Sequence, residues 1–335
     1  MALLYKPLAL IGIAASVFFG SVNHSAGQSS SLTAFYTAPV VSMAPMWIAK
    51  EAGFFKKQGL DVRLVFIASG PLGTTSILSG DVEVGIIGGF APTRAIAGGA
   101  KNLVMIGQSK NRMTGAIVGK KEITSVQDLK GRRFGIDRIG SNPDMFTQAS
   151  LARYNMDPLK DLQYIQLGSI AQGIPALKAG TIDAVSTSTP HDLFAQRLGF
   201  KVILDITALK IPFAATVLLS ARNTVDRKQA DLSKFMRAYA EAVHYYLTNK
   251  EGTAQIVSKY TKVEDREVLY YSIDAEAAAM ERTLQVDPKG IELILALINR
   301  TAPQPFSAKP EEFYDARFTN DLRDSGFLKK LWGDK

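Results

Sequence analysis

The sequence predicts an α/β protein of two lobes, each a mostly parallel sheet with flanking helices, followed by a helical tail. Three observations predict it. Between residues 31 and about 205, short β-rich segments alternate with helical ones, the pattern of parallel strands joined by covering helices. Beyond about residue 224 only helical periodicity is left. Residues 66–92 align without a gap with 166–192, pairing Ser69 with Ser169, Gly73 with Gly173 and Gly80 with Gly180, so one α/β unit recurs in both lobes.

In chain order, strands are expected at 32–36, 61–67, 82–87, 103–108, 116–118, 133–137, 162–167, 184–186 and 201–204. The intervening helices are expected at 45–55, 71–78, 92–98, 143–154, 172–179 and 191–198. In the tail, Leu232, Phe235, Met236, Tyr239, Val243 and Tyr246 recur at helical spacing and form one apolar stripe. Thr261-Lys262-Val263-Glu264 has the spacing of a capping box and reads as the start of the next helix. Asp287-Pro288 supplies an N-cap and a first-turn proline for another helix, ending near Arg300. A last helix is expected over about 310–323. Helices of this kind cannot bury their stripes alone, so the tail must pack on the sheets.

Composition narrows the functions. The chain has 335 residues, no cysteine, and 39 Lys and Arg against 31 Asp and Glu. Without cysteine there is no disulfide, no cysteine–zinc site, no thiol nucleophile and no thioether lipid anchor. Three histidines (His24, His191, His244) are too few for a multi-histidine metal site, and no metal or other cofactor is expected. The excess positive charge is dispersed in short runs such as Lys56-Lys57 and Arg132-Arg133, which argues against nucleic acid as a partner.

Residues 1–27 read as a cleavable secretory signal: Lys6 gives the positive start, Leu8 to Gly20 the apolar run, and Ser25-Ala26-Gly27 the small residues before cleavage. The mature protein is therefore expected in a periplasm, as a soluble protein and not a lipoprotein.

A recurring loop carries the functional signal. Five times a predicted strand ends and a proline then opens a helix, at Ser42-Met43-Ala44-Pro45, Ser69-Gly70-Pro71, Gly88-Gly89-Phe90-Ala91-Pro92, Ser141-Asn142-Pro143 and Ser188-Thr189-Pro190. Proline suits a first helical turn because its missing N–H has no intrahelical partner there. The remaining free N–H groups and the positive end of the helix dipole point out of the loop. In a parallel sheet such loops gather at the carboxyl edge of the strands, the usual ligand position. Two lobes facing each other would form a cleft rich in N–H and O–H donors, suited to a small anion. The candidate donors are Ser42, Ser69, Gly70, Gly89, Ser141, Asn142 and Thr189. Phe90 is expected as an apolar wall, and Met43 reads equally as cleft lining or core. Arg138, just past a strand end, is a candidate counter-charge for an anion, with a surface ion pair as the alternative. His191 is either a ligand donor or a first-turn surface residue.

Catalytic patterns are poor. There is no G-x-S-x-G elbow, no H-E-x-x-H, no G-x-G-x-x-G and no phosphate-loop lysine.

Several stretches together resemble a known family. Pro45-Met46-Trp47-Ile48-Ala49-Lys50-Glu51-Ala52-Gly53-Phe54-Phe55, followed by Gly59-Leu60-Asp61-Val62, resembles a characteristic stretch of the nitrate/sulfonate/taurine-type periplasmic solute-binding proteins of ABC importers, a group that includes thiamine-pyrimidine-precursor binders. Leu78 to Gly85, Ser125 to Gly135 and Leu177 to Ala184 are similar to its two glycine turns and the start of its second lobe. The resemblance covers about 33–250. It implies a type II, Venus-flytrap periplasmic-binding-protein fold. Lobe 1 would be 31–112 plus 217–335 and lobe 2 would be 116–210, with hinge segments 111–116 and 211–216. It further implies a monomer that binds a small solute between the lobes by hinge closure and delivers it to an ABC permease in the inner membrane. Many relatives carry an aromatic residue near 188–190, where this chain has Ser188-Thr189-Pro190. The same fold hosts enzymes of pyrimidine-precursor synthesis and small dehydratases, and a ligand-sensing partner of a membrane receptor would look the same in sequence. The reading chosen among these is a non-enzymatic binder.

Overall fold

The computed structural model describes residues 30–300 and 302–333; the signal expected over 1–27 lies outside them. In chain order the strands are β1 Ser30–Tyr36, β2 Leu60–Phe66, β3 Val84–Ile87, β4 Leu103–Arg112, β5 Ala116–Gly119, β6 Arg133–Ile136, β7 Gln163–Gln166, β8 Ala184–Thr187, β9 Lys201–Asp205 and β10 Pro212–Ala221. They form two five-stranded sheets, ordered β2-β1-β3-β10-β4 and β7-β6-β8-β5-β9.

The two sheets share one plan. In the first, β1 runs between parallel neighbours β2 and β3. In the second, β6 runs between parallel neighbours β7 and β8. Beside each trio lies an antiparallel strand that has crossed from the other half of the chain. It is β10 in the first sheet and β5 in the second. The sheets are thus mixed, because the crossing strand enters each lobe from the opposite direction. Helices Gly70–Ser79 and Gly173–Lys178 precede β3 and β8 at equivalent places, so the segments paired by the internal repeat occupy matching positions.

Strand β10 has no counterpart among the expected strands. Its sequence, Pro212-Phe213-Ala214-Ala215-Thr216-Val217-Leu218-Leu219-Ser220-Ala221, is a nearly continuous apolar run without alternation. That is the signature of a strand covered on both faces, and every residue after Pro212 is buried.

The tail packs as its stripe requires. Helix Gln229–Thr248 buries Leu232, Phe235, Met236, Tyr239, Val243 and Tyr246. These meet Val104 and Ile106 of β4 in one core with β1, β2 and β3. Each such side chain contributes about 1.5–3 kcal/mol on burial. Trp47 of helix Ala44–Glu51 is fully buried and stacks on Tyr260, ring centroids 4.7 Å apart. Tyr260 belongs to helix Lys250–Thr261, which the periodicity did not suggest. That helix still contains Thr261, so Thr261 does not open the next one. Helix Arg266–Ala277 is instead capped by Asp265, whose side chain accepts the Val268 N–H. Asp287 caps Pro288–Asn299 as expected, accepting from the Lys289 N–H. The 310–323 stretch divides into a 3-10 turn, Pro310–Phe313, and helix Arg317–Asp324. No helix among the described residues is long and apolar enough to cross a membrane.

Candidate functional site

A cavity lies between the two sheets, at the ends where β1, β2, β3, β6 and β8 give way to loops. It measures about 80 Å³, room for about half a dozen water-sized groups. The first sheet contributes Thr37, Ser42, Met43, Ser69, Gly70 and Gly88. The second contributes Asp137, Ser141, Asn142, Phe146, Ser169, Ser186 and Thr187. Lys110, Thr114 and Thr216, from the segments that join the sheets, complete the lining.

Ser69 sits at φ 81°, ψ 155°, backbone space almost reserved for glycine and costing on the order of 1–3 kcal/mol elsewhere. Its N–H bonds the Thr37 carbonyl at 3.2 Å, and helix Gly70–Ser79 follows at once. Its hydroxyl is buried without a hydrogen-bond partner, and so is the hydroxyl of Thr187 at the end of β8. The two unpaired hydroxyls come from opposite walls of one cavity. Buried hydroxyls are rarely left unpaired, so both are open to a bound molecule.

Asp137 follows β6 and is buried. Ser141 caps helix Asn142–Ala152 and donates its hydroxyl to Asp137 Oδ1. Burial pushes the Asp137 carboxyl up to about 6; the Ser141 hydroxyl and the Arg138 backbone oppose this, and the nearby Asp144 adds to it.

Behind the cavity runs a buried polar network. Lys110 Nζ donates to Glu276 Oε2 at 2.8 Å and to Thr114 Oγ1 at 2.7 Å. Glu276 Oε1 accepts from Thr114 at 2.8 Å and from Thr189 at 3.2 Å. Glu276, on helix Arg266–Ala277, thereby ties the tail to both sheets.

The structure brings Ser42, Met43, Ser69, Gly70, Ser141 and Asn142 together around the cavity. It places the other candidates elsewhere. The Gly89 N–H bonds the Ala214 carbonyl at 2.9 Å. Phe90 is buried beside Arg94 in a separate groove. Arg138 lies outside the lining, with its Nη2 towards Gly168 and its Nε buried without a partner. Thr189 spends its hydroxyl on Glu276, and its carbonyl accepts the Val41 N–H at 3.4 Å. His191 is half-buried and outside the lining; its Nδ1 is buried without a partner, and this desolvation pushes the imidazole down to about 4. Asn142 lines the cavity, but its side chain is engaged. Nδ2 donates to the Ala215 carbonyl at 2.7 Å, and Oδ1 accepts the Phe90 N–H at 3.4 Å. A Cβ on Gly88 would lie within 2.5 Å of that carboxamide, so a larger residue there would displace the Asn142 side chain from these bonds.

Sequence reasoning passed over Asp137, Thr187, Lys110 and Glu276. The alternation of side chains past β6 was a usable signal for Asp137. The polar run Gln108-Ser109-Lys110 closing an apolar strand was one for Lys110. Nothing local links Glu276 to residues so distant in the chain. Among the described residues, no cluster of His, Cys, Asp and Glu could hold a metal ion.

The family described as NMT1/THI5 like matches residues 41–252. YtlA of Bacillus subtilis (strain 168), described as a candidate binding protein, is 25% identical over 305 residues, covering 87% of this chain and 90% of its own length. The periplasmic nitrate-binding protein NrtA from Synechocystis PCC 6803 superposes with a TM-score of 0.75 at 18% identity, over 92% of this chain and 90% of its own. The alkanesulfonate-binding protein SsuA from Xanthomonas axonopodis pv. citri, bound to MOPS, gives 0.71 at 18% identity, over 85% and 96%. These two structures share the fold.

Proposed function

The chain belongs to the NMT1/THI5-like family, and from that premise we propose that it is the periplasmic solute-binding component of an ABC importer. It is a non-enzymatic monomer that holds one small, anion-bearing solute between two lobes and presents it to a membrane permease. The observation that carries this reading is the pair of unpaired buried hydroxyls, Ser69 and Thr187, facing one small cavity from opposite sheets. A solute touching both is held better by the closed form than by an open one, and that difference in affinity drives closure. The names of YtlA, NrtA and SsuA agree with a binding role.

In this reading residues 1–27 direct export and are removed. Lobe 1 comprises 31–112 and 217–335, lobe 2 comprises 116–210, and the lobes rotate about 111–116 and 211–216. Ser42, Ser69, Gly70, Ser141 and Thr187 contact the solute, with Met43 as an apolar neighbour.

Thermal melting of the mature chain against sulfonates, carboxylates, nitrate and pyrimidines tests the reading. A true ligand at about a hundredfold excess over its Kd adds about 2.7 kcal/mol and raises the midpoint by several degrees. No shift with any solute, or chemical turnover of one, overturns it.

A further inference from the structure

The charges around the cavity restrict what the solute can be. Among the described residues its lining holds two ionisable groups, Lys110 and Asp137. Lys110 is already matched by Glu276 at 2.8 Å, and the pair sums to zero. Asp137 forms no ion pair among the described residues. Its named partners are the Ser141 hydroxyl and the Arg138 backbone, and the next carboxyl, Asp144, has the same sign. Arg138, the cation closest to it in sequence, stands outside the lining, in no ion pair among the described residues and with its Nε buried without a partner.

Among the lining residues a bare oxyanion would meet no unmatched cation and one carboxyl of its own sign. Buried like charges close together repel strongly, so such an anion would have to keep away from Asp137. The same wall suits a different group. Ser69 and Thr187 offer hydroxyls to oxygen acceptors on either side, and Asp137 offers a carboxyl oxygen to a donor.

We infer that Asp137 receives a hydrogen bond from an N–H group of the solute, so that the site selects a small nitrogen-bearing solute with oxygen acceptors over a plain oxyanion of the same size. The inference rests on the solute-binding reading above and adds the chemical class of the ligand and the residue that selects it.

Calorimetric titration of the mature chain with matched pairs tests it: taurine against ethanesulfonate, and β-alanine against propionate, with nitrate as a further plain anion. The amino member of a pair should bind about ten- to a hundredfold more tightly, the range of one hydrogen bond to a charged group. Asp137→Asn should abolish most of that preference by weakening the amino member and tightening the plain one. Equal or tighter binding of the plain members overturns the inference while leaving the binder intact, as does an Asp137→Asn protein that keeps the preference. Binding of no probe counts against the solute-binding reading and against this inference with it. The pair comparison on the unaltered chain needs no variant, so it decides even if Asp137→Asn fails to fold.

Discussion

Asp137 and Arg138 leave the end of β6 as consecutive residues of a chain whose side chains alternate, and the carboxyl is the one that lines the cavity. Burial raises the Asp137 pKa to about 6, against about 3.9 in an unfolded chain. Between those values the folded protein keeps a proton that the unfolded chain has released. The stability tied to this group is therefore full below about pH 4 and is lost as pH rises through about 6. Asp192, also raised to about 6 mainly by burial, runs the same way. His191 runs oppositely: lowered to about 4, it contributes stability above about pH 6.5 that is lost as pH falls toward 4. Asp137→Asn isolates the first group. Relative to the unaltered chain, the Asn protein should gain on the order of 2 kcal/mol between pH 4 and pH 7. Urea unfolding at both pH values measures this, and a pH-independent difference would mean that the carboxyl is not buried.

At the scale of elements, helix Arg266–Ala277 is held to β4 and to the 188–190 loop by one carboxylate. Glu276 and Lys110 have side chains 2% and 5% exposed, so both are desolvated and neither tolerates loss of the other. Glu276→Leu alone should cost about 3–5 kcal/mol because it strands a buried ammonium. Lys110→Met with Glu276→Leu should recover most of that loss. Denaturant titrations of the two proteins make the comparison, and a double variant no better than the single one would show that shape, not charge, holds the helix. This tie also marks the limit of local sequence patterns. The stripe on Gln229–Thr248 and the cap at Asp287 were legible because each depends on neighbours within a turn or two. The pairing of Lys110 with Glu276 depends on tertiary packing alone. Helix Lys250–Thr261 escaped notice for a related reason: its buried face is narrow, resting on Thr253, Ala254 and Val257.

At the scale of the whole molecule, the two-lobed plan was legible because strand–helix alternation and the repeated glycine turns are properties of each unit by itself. Strand β10 was not, because it belongs to the first sheet only after crossing from the second, and its apolar run lacks a period. The same holds for the cavity. The serine and proline loops announced a gathering of helix starts, whereas which side chains meet there depends on how closely the lobes approach. Several contacts hold that approach, among them Val41 to Thr189 and Thr189 to Glu276, and one of them lies at the cavity over a glycine. Asn142 reaches from the second lobe to the Ala215 carbonyl and the Phe90 N–H, over a glycine whose Cβ would stand 2.3 Å from its carboxamide carbon. Gly88→Ala should therefore leave each lobe folded and prevent this arrangement. Solute affinity should fall about tenfold or more, as the competent state becomes rarer. Small-angle scattering should show no contraction on adding a solute that contracts the unaltered chain. Asn142→Ala placed on Gly88→Ala removes the obstructing carboxamide and should restore contraction. A Gly88→Ala protein that contracts normally would show that the lobes close without the Asn142 bridge.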